Sequence, residues 1–240
     1  MNLRFLATAV IAAATALLLA PAAWANFVTF ESAGADAAAI TPTRDGFRLA
    51  VGGGTVAGAN GSFGGLRREI NWDGVPDALS DPNPLPANFF NVNSPRGAVF
   101  STPGTGFLVS ANAGLATTTL FGFSSDFQAF SAQKLFTAVN SNITDVRFFV
   151  PGTLLATTTS AFAAIFVDVE VAALTRIEFF DASEALIFTR DAGVARAIRV
   201  SVLSALSPML ARGSAASGSR RASTPSSPTV RWEIRTTTLW

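Results

Sequence analysis

Short segments rich in Phe, Val and Ile, separated by Gly, Pro and Asx turns, most constrain what this chain can fold into. Such segments span residues 145–150, 161–170 and 175–181. In the last of them apolar and charged residues alternate, which is the period of a strand with one buried face. Because no long amphipathic helices alternate with these segments, the pattern predicts an all-β fold, namely an antiparallel β-sandwich of the jelly-roll type.

Three further segments extend this prediction. Residues 95–111 have the pattern of a strand, a turn rich in Pro and Gly, and a second strand, which predicts a hairpin. Residues 47–57 suggest a strand interrupted by a Gly run that can host a bulge. The sequence of residues 130–139 is compatible with either a short helix or another strand.

The first 25 residues have the form of a secretory signal peptide. Arg4 supplies a positive charge, residues 5–20 are uncharged and apolar, and Ala23-Trp24-Ala25 gives the small-x-small pattern of a cleavage site. This apolar run of about 16 residues is shorter than the roughly 20 that a membrane-spanning helix needs. We therefore expect a signal helix that is cleaved before Asn26, and a secreted or periplasmic product without a membrane span.

Charge divides the rest of the chain in two. The sequence carries a net charge of +1, yet residues 26–190 contain 9 basic and 14 acidic residues, whereas residues 191–240 contain 7 Arg and 2 acids. The basic part is rich in Ser, Ala and Thr, which is typical of irregular or disordered tails. We therefore predict a signal peptide over residues 1–25, a β-sandwich domain over residues 26–190 and a basic low-complexity tail over residues 191–240.

The absence of two residue types excludes several kinds of chemistry. The chain has no Cys and no His, which rules out disulfides, thiolate nucleophiles, Cys-ligated metals and a Ser-His-Asp triad. The near-neutral net charge gives no reason to expect nucleic acid as a partner. Binding functions and carboxylate-based catalysis remain.

The segment over residues 66–97 is the most distinctive, because it is rich in Pro, Asp and Asn. It predicts a long, ordered surface loop after a strand that ends near Trp72. Asp73, Asp77 and Asp81 recur every four residues, and carboxylates are preferred ligands of calcium. Asp73 and Asp77 are therefore candidate metal ligands, although the spacing does not match an EF-hand. The alternative is that these carboxylates bond nearby backbone N–H groups in Asx turns.

The same loop contains candidate ligand-binding residues. Trp72 and Asp73 are adjacent, and Arg68 and Arg96 are near in sequence. A flat aromatic ring beside carboxylates and guanidinium groups is typical of sugar-binding faces, where the ring covers the apolar face of a sugar. The alternative is that Trp72 closes one end of the sandwich.

Asp168 and Glu170 are a candidate pair of carboxylates. On a strand, residues two apart face the same side, and glycoside hydrolases use two carboxylates at a defined separation. The alternative is a solvated rim or a cation contact. We assign no catalytic residue from this pair.

Three motifs carry a resemblance to a known group. They are REINWDGVPD at residues 68–77, PANFFNVNSPRGAVFSTPGTGF at residues 86–107 and FAAIFVDVEVAALTRIEFFDASEAL at residues 162–186. Together they resemble uncharacterised bacterial secreted proteins, some of which carry PEP-CTERM sorting tails. The resemblance implies an exported β-sandwich and no established activity.

The chain departs from that group near its C-terminus. The group has Gly in the turn after the FFDAS motif, where this chain has Glu184, and it continues with further strands and an acidic DDF motif that this chain lacks. A reading frame shifted near residue 196 restores segments close to the missing pattern. Two explanations stay open: a frameshift that leaves residues 197–240 without a selected function, or a natural Arg- and Ser-rich tail.

Taken together, these features favour a non-catalytic extracellular binding or surface-associated module whose partner is a polysaccharide or matrix. The alternatives are a carbohydrate-active enzyme that relies on carboxylates and a purely structural component of the envelope. The only cofactor that the sequence suggests is calcium.

Overall fold

The computed structural model describes residues 27–112, 114, 119–194, 200–206 and 229–234. The last two segments are described by their backbone alone. The predicted signal helix over residues 1–25 and the remainder of the predicted tail lie outside the described residues.

Strands dominate the described residues, which confirms the prediction of a mostly-β fold. The strands are β1 (Val28–Thr29), β2 (Ser32–Gly34), β3 (Ser62–Phe63), β4 (Arg67–Arg68), β5 (Ala98–Ser101), β6 (Gly106–Val109), β7 (Phe136–Val139), β8 (Ile143–Phe148), β9 (Ala161–Val167), β10 (Thr175–Phe180), β11 (Leu186–Asp191), β12 (Val200–Leu206) and β13 (Thr229–Ile234). The α-helices are α1 (Ala37–Val51) and α2 (Phe89–Val92).

Two sheets account for most of the pairing, and all of their ladders are antiparallel. The larger has five strands in the order β11-β10-β13-β8-β5. The other has four strands: β9 runs along one edge of β12, while β1 and β2 follow one another along its opposite edge. The short ladders β3-β4 and β6-β7 are separate.

The strands β12 and β13 correct the prediction of an irregular tail for their part of the chain. Each lies inside a sheet, β12 between β9 and the β1/β2 edge, and β13 between β10 and β8. Their sequences, VSVLSAL and TVRWEI, place apolar residues at or near every second position, which is the strand pattern. The Ser-, Thr- and Arg-rich composition of the tail as a whole obscured these two short segments.

Side chains from both larger sheets meet in one hydrophobic cluster. Phe166 of β9 and Ile177 of β10 are both buried in it. The ring of Phe162, also on β9, lies 6.0 Å from that of Phe148 and 6.4 Å from that of Phe179. Since burying a Phe side chain contributes roughly 1.5–3 kcal/mol, this shared cluster is a major source of stability in a chain without disulfides.

The predicted strand over residues 47–57 is wrong, because its first five residues are the end of α1. The carboxylate of Asp36 accepts a hydrogen bond of 2.9 Å from the backbone N–H of Ala39, which caps the start of the helix. Gly52 ends it with a φ of +87°, a conformation that glycine adopts without strain.

The helix was missed because its sequence contains unfavourable residues. Pro42 and Gly46 both lie inside α1, and each lowers intrinsic helix propensity. Ile40 and Phe47, two turns apart, are nevertheless buried on one side of the helix. Burial of that face therefore outweighs the local preference.

The segment over residues 66–97 is mostly irregular, as predicted, with single 3₁₀ turns at Trp72–Gly74 and Asp77–Leu79. It also contains the short helix α2, which was not predicted, and the strand before it, β4, ends at Arg68 and not near Trp72. The predicted surface location of the segment is wrong. Val75, Leu85 and Phe90 are at most 3% exposed and belong to the hydrophobic cluster. The apolar residues between the turns hold the loop against the core.

The predicted hairpin over residues 95–111 is confirmed as two strands but not as a pair. β5 pairs with β8, and β6 pairs with β7. Each of the two strands therefore pairs with a strand more distant in sequence, and not with its neighbour. The other strand predictions are confirmed by β8, β9 and β10, and β7 settles the second half of residues 130–139 as a strand.

Within the described part of the chain, no helix has the length and apolar character needed to cross a lipid bilayer.

Candidate binding cleft

Asp73 joins the irregular loop to a distant segment of the chain. Its Oδ1 atom accepts hydrogen bonds from the backbone N–H of Lys134 at 2.8 Å, the backbone N–H of Gln133 at 3.3 Å and the hydroxyl of Ser131 at 3.1 Å. The Asx turn beside it belongs to Asn71, whose side chain accepts from the N–H of Asp73 at 3.0 Å. Asp73 is therefore a tether between two loops.

Lys134, the single lysine of the sequence, is buried behind this tether. Its ammonium donates to the carbonyl of Val75 at 2.8 Å, to Asp77 Oδ1 at 2.8 Å and to the hydroxyl of Ser80 at 2.9 Å. All three donors of the ammonium are used. The hydrogen bond from the Lys134 ammonium and its positive charge hold the pKa of Asp77 below its usual value, and a hydrogen bond from Asn112 lowers it further.

The two candidate metal ligands thus bind protein groups. Asp77 pairs with the Lys134 ammonium, and Asp73 binds backbone and hydroxyl donors. Asp81 donates its backbone N–H to Val109. The described residues contain no group of three or more acidic side chains arranged to hold a metal ion. In this arrangement a lysine ammonium lies beside Asp77, one of the two carboxylates that were candidate calcium ligands.

Trp72 packs among phenylalanine rings. Its ring is stacked on that of Phe136, with 4.2 Å between the centroids and 3° between the planes. The rings of Phe90 and Phe100 lie at 5.5 and 6.0 Å. This is the arrangement expected if Trp72 closes one end of the core, with one face of the indole already covered.

An open cleft of about 1670 Å³ lies beside this cluster. Its walls come from α1, from the segment around β4, from β7 and from β9. Arg68, Trp72 and Arg96, three of the predicted ligand-binding residues, line it, whereas Asp73 is not among its lining residues.

One end of the cleft is organised around Glu69. Arg48 holds the Glu69 carboxylate through two bonds, from Nε to Oε1 at 2.8 Å and from Nη2 to Oε2 at 2.5 Å. Arg67, which is buried, donates to Oε1 at 2.7 Å and to the carbonyls of Gly52 and Gly54. This network ties the end of α1 to β4, and both oxygens of the Glu69 carboxylate accept hydrogen bonds in it.

The two predicted arginines differ in their surroundings. Arg96 is half-buried, lies 5.0 Å from the Phe90 ring and donates to the carbonyl of Glu69 at 2.5 Å. Burial lowers the pKa of its guanidinium. Arg68 is exposed, and its side chain makes no hydrogen bond or ion pair with any other described residue.

The rest of the cleft is largely aromatic, and Asp168 is its one acidic lining residue among those described. Partly exposed phenylalanine rings line it, namely Phe121, Phe123, Phe127, Phe130, Phe149 and Phe162. Exposed hydroxyl and amide side chains lie among them, namely Thr137, Asn140, Asn142, Thr158, Thr159 and Ser160. Aromatic faces with interspersed hydroxyls and amides are suited to a ligand with alternating apolar and hydroxylated surfaces.

The candidate pair Asp168 and Glu170 is not placed as predicted. β9 ends at Val167, and Asp168 follows it with a φ of +59°, so the strand rule no longer fixes where the two side chains point. Asp168 alone of the two lines the cleft. Burial raises the pKa of Asp168, and the charges of Glu170 and Asp126 raise it further.

Few sequence signals point to the residues that shape this region. Lys134 carries one signal, since it is the single lysine of the chain and sits in a largely apolar segment. Arg48 and Glu69 carry none, because they meet only once α1 packs beside β4.

The chain matches no family model, and no curated protein or solved structure shows significant similarity to it.

Proposed function

We propose that this protein is an exported, non-catalytic binding module that holds an extended polysaccharide in the cleft between α1, β4, β7 and β9. The observation that carries the proposal is the lining of that cleft, which combines partly exposed phenylalanine rings with hydroxyl and amide side chains. Rings of this kind cover the apolar faces of sugars, and hydroxyl and amide groups bond their hydroxyls.

The rest of the proposal concerns the protein's location and architecture. The signal-like residues 1–25 support export to the periplasm or the cell exterior. We infer a sandwich in which the two larger sheets form the two faces. The contacts of the β9 ring Phe162 with Phe148 and Phe179 of the five-stranded sheet support that arrangement.

Binding to a panel of extracellular polysaccharides, measured by affinity electrophoresis and calorimetry, tests the function. Phe127→Ala removes one partly exposed ring from the cleft, and we expect it to weaken binding about fivefold to tenfold. Leu154→Ala is the matched control, because Leu154 is 91% exposed and lies outside the cleft. Absence of binding to every glycan tested, or equal losses in both variants, contradicts the proposal.

A carboxylate-dependent hydrolase is the second candidate, and Asp168 is the observation that favours it. Asp168 lines the cleft with a raised pKa, as a general acid requires. Hydrolysis needs a second carboxylate, and the other one among the described lining residues, Glu69, is held by Arg48 and Arg67. Binding is therefore the better-supported function. Release of reducing ends that Asp168→Asn abolishes favours the hydrolase instead.

A further inference from the structure

The charges of the cleft differ from those of the body around it. Residues 26–190 carry 9 basic and 14 acidic residues. Six of those basic residues line the cleft, whereas two of the acidic ones do. Asp45 and Asp77, which pair with Arg44, Arg48 and Lys134, offset part of this excess. The cleft of an acidic body therefore keeps a modest positive charge, which favours anions.

The positive charge is gathered at one end. Arg44 and Arg48 lie one turn apart on α1 and share Asp45 as a partner. Arg67 and Arg96 both bond to Glu69, through its carboxylate and its carbonyl respectively. Residues 157–160, which also line the cleft, are all Thr or Ser.

One guanidinium in this cluster is available to a ligand. Arg44, Arg48 and Arg67 are each paired with a carboxylate, Arg96 donates to the Glu69 carbonyl and to Ser94, and the ammonium of Lys134 is fully bonded. Arg68 is exposed in the cleft, and among the described residues its side chain has no acceptor. A guanidinium binds a carboxylate through two parallel N–H···O bonds, which gives orientation as well as affinity.

We propose that the polysaccharide in this cleft is acidic and carries a uronate carboxylate that Arg68 binds. The inference rests on the proposed function and names its ligand class. The grouping of Arg48, Arg67 and Arg96 around Glu69, next to Arg68, argues for a ligand with a local negative charge. A nucleic acid carries a phosphate at every step along the strand, and the uncharged Thr- and Ser-lined wall does not match that pattern.

The experiment compares one polymer with and without its charge. Polygalacturonate and its carboxyl-reduced form differ in the carboxylate alone, so their dissociation constants isolate its contribution. We expect the reduced form to bind at least tenfold more weakly. Arg68→Gln should weaken binding of polygalacturonate at least tenfold and binding of the reduced polymer less than twofold. The reason is that the substitution and the carboxyl reduction remove the same interaction.

Arg147→Gln is the matched control, since Arg147 is 54% exposed at its side chain and lies outside the cleft. It removes the same charge, and we expect less than a twofold change in binding. Thermal unfolding of each variant checks that it is folded. Binding of polygalacturonate should also weaken as salt is raised from low to physiological concentration.

The outcomes separate the ligand class from the function. Equal affinity for both polymers, or equal losses in Arg68→Gln and Arg147→Gln, overturns the uronate assignment while glycan binding stands. Binding of a single-stranded oligonucleotide without binding of either polymer overturns both the assignment and the proposed function.

Discussion

At the scale of single residues, Lys134 is the cation that binds Asp77, a carboxylate that the sequence suggested as a calcium ligand. Its ammonium connects Val75, Asp77 and Ser80 of the irregular loop to the segment that precedes β7. A charge with three good hydrogen bonds is tolerated in the interior, whereas the groups left behind when it is removed are not.

Lys134→Met keeps the length of the side chain and removes its charge and its three bonds. We expect the free energy of unfolding to fall by about 2–3 kcal/mol, because buried acceptors lose their donor. Urea unfolding measures the change. Arg147→Met breaks the exposed pair with Glu184 and should cost less than about 0.5 kcal/mol. Similar small losses in both variants would contradict the structural role of Lys134.

The ionisation of Asp168 makes the stability of the folded protein depend on pH, and the sign of that dependence follows from its pKa. Its pKa lies above the usual 3.8, chiefly through burial, so the folded state holds the proton more tightly than the unfolded state. Stability therefore falls as the pH rises from 3.8 through the folded pKa. We expect Asp168→Asn to raise the melting temperature at pH 7 and to leave it unchanged near pH 3. Calorimetry at both values checks this expectation.

Asp181 serves as a control, because its pKa is shifted in the opposite direction from that of Asp168. Hydrogen bonds from the Ser183 hydroxyl and from the backbone N–H groups of Ala185 and Ser183 lower its pKa. Its contribution is present above pH 3.8 and is lost as the pH falls through the folded pKa. Asp181→Asn should therefore lower the melting temperature at pH 7. A shift of the same sign in both variants would show that pKa differences do not govern the effect.

At the scale of elements, the turn between β10 and β11 carries a strained residue. Glu184 has a φ of +64°, a conformation that costs most residues about 1 kcal/mol or more. The turn is held by Asp181, which accepts three hydrogen bonds.

Glu184→Gly relieves that strain, and we expect it to raise the free energy of unfolding by about 0.5–1 kcal/mol. The ion pair with Arg147 that it removes is exposed and contributes little. Ala182→Gly adds the same flexibility two residues earlier, at a position without a positive φ, and should destabilise the hairpin. Denaturant midpoints compare the two variants. Destabilisation by both would contradict the strain argument.

At the scale of the whole molecule, the last strands complete the sheets. β13 separates β10 from β8, and β12 separates β9 from β1 and β2. Each of these neighbours has an unpaired backbone edge without them, and such edges promote association between chains. Both strands lie in residues 197–240, the stretch for which a frameshift and a natural tail are the two open explanations. The structural importance of these residues can be tested directly.

A chain that ends at residue 194 should aggregate and lose cooperative unfolding, because both larger sheets lose an internal strand. Light scattering after size-exclusion chromatography and a thermal melt measure this. A chain that ends at residue 234 keeps both strands and should behave as the full chain does. A monomeric, cooperatively folded short chain would instead favour the explanation in which residues 197–240 carry no selected role.

The fold was predictable where its signal is local. The alternation within β8, β9 and β10 follows from the period of a strand, and it holds whatever the partner strand is. The same reasoning failed for α1, where Pro42 and Gly46 argue against a helix that burial of Ile40 and Phe47 stabilises. It also failed for β5 and β6, whose pairing partners lie elsewhere in the chain.

In the candidate site, too, some features follow from the sequence alone and others depend on tertiary packing. Sequence alone determined what chemistry is absent, because a chain without Cys and His has no thiolate or imidazole, and it singled out Arg68 and Trp72 near the cleft. Only the tertiary structure decided that Lys134 pairs with Asp77 across 57 residues and that Arg48 meets Glu69 across 21. Side-chain contacts over such separations depend on how loops and helices pack, and no local period in the sequence encodes that packing.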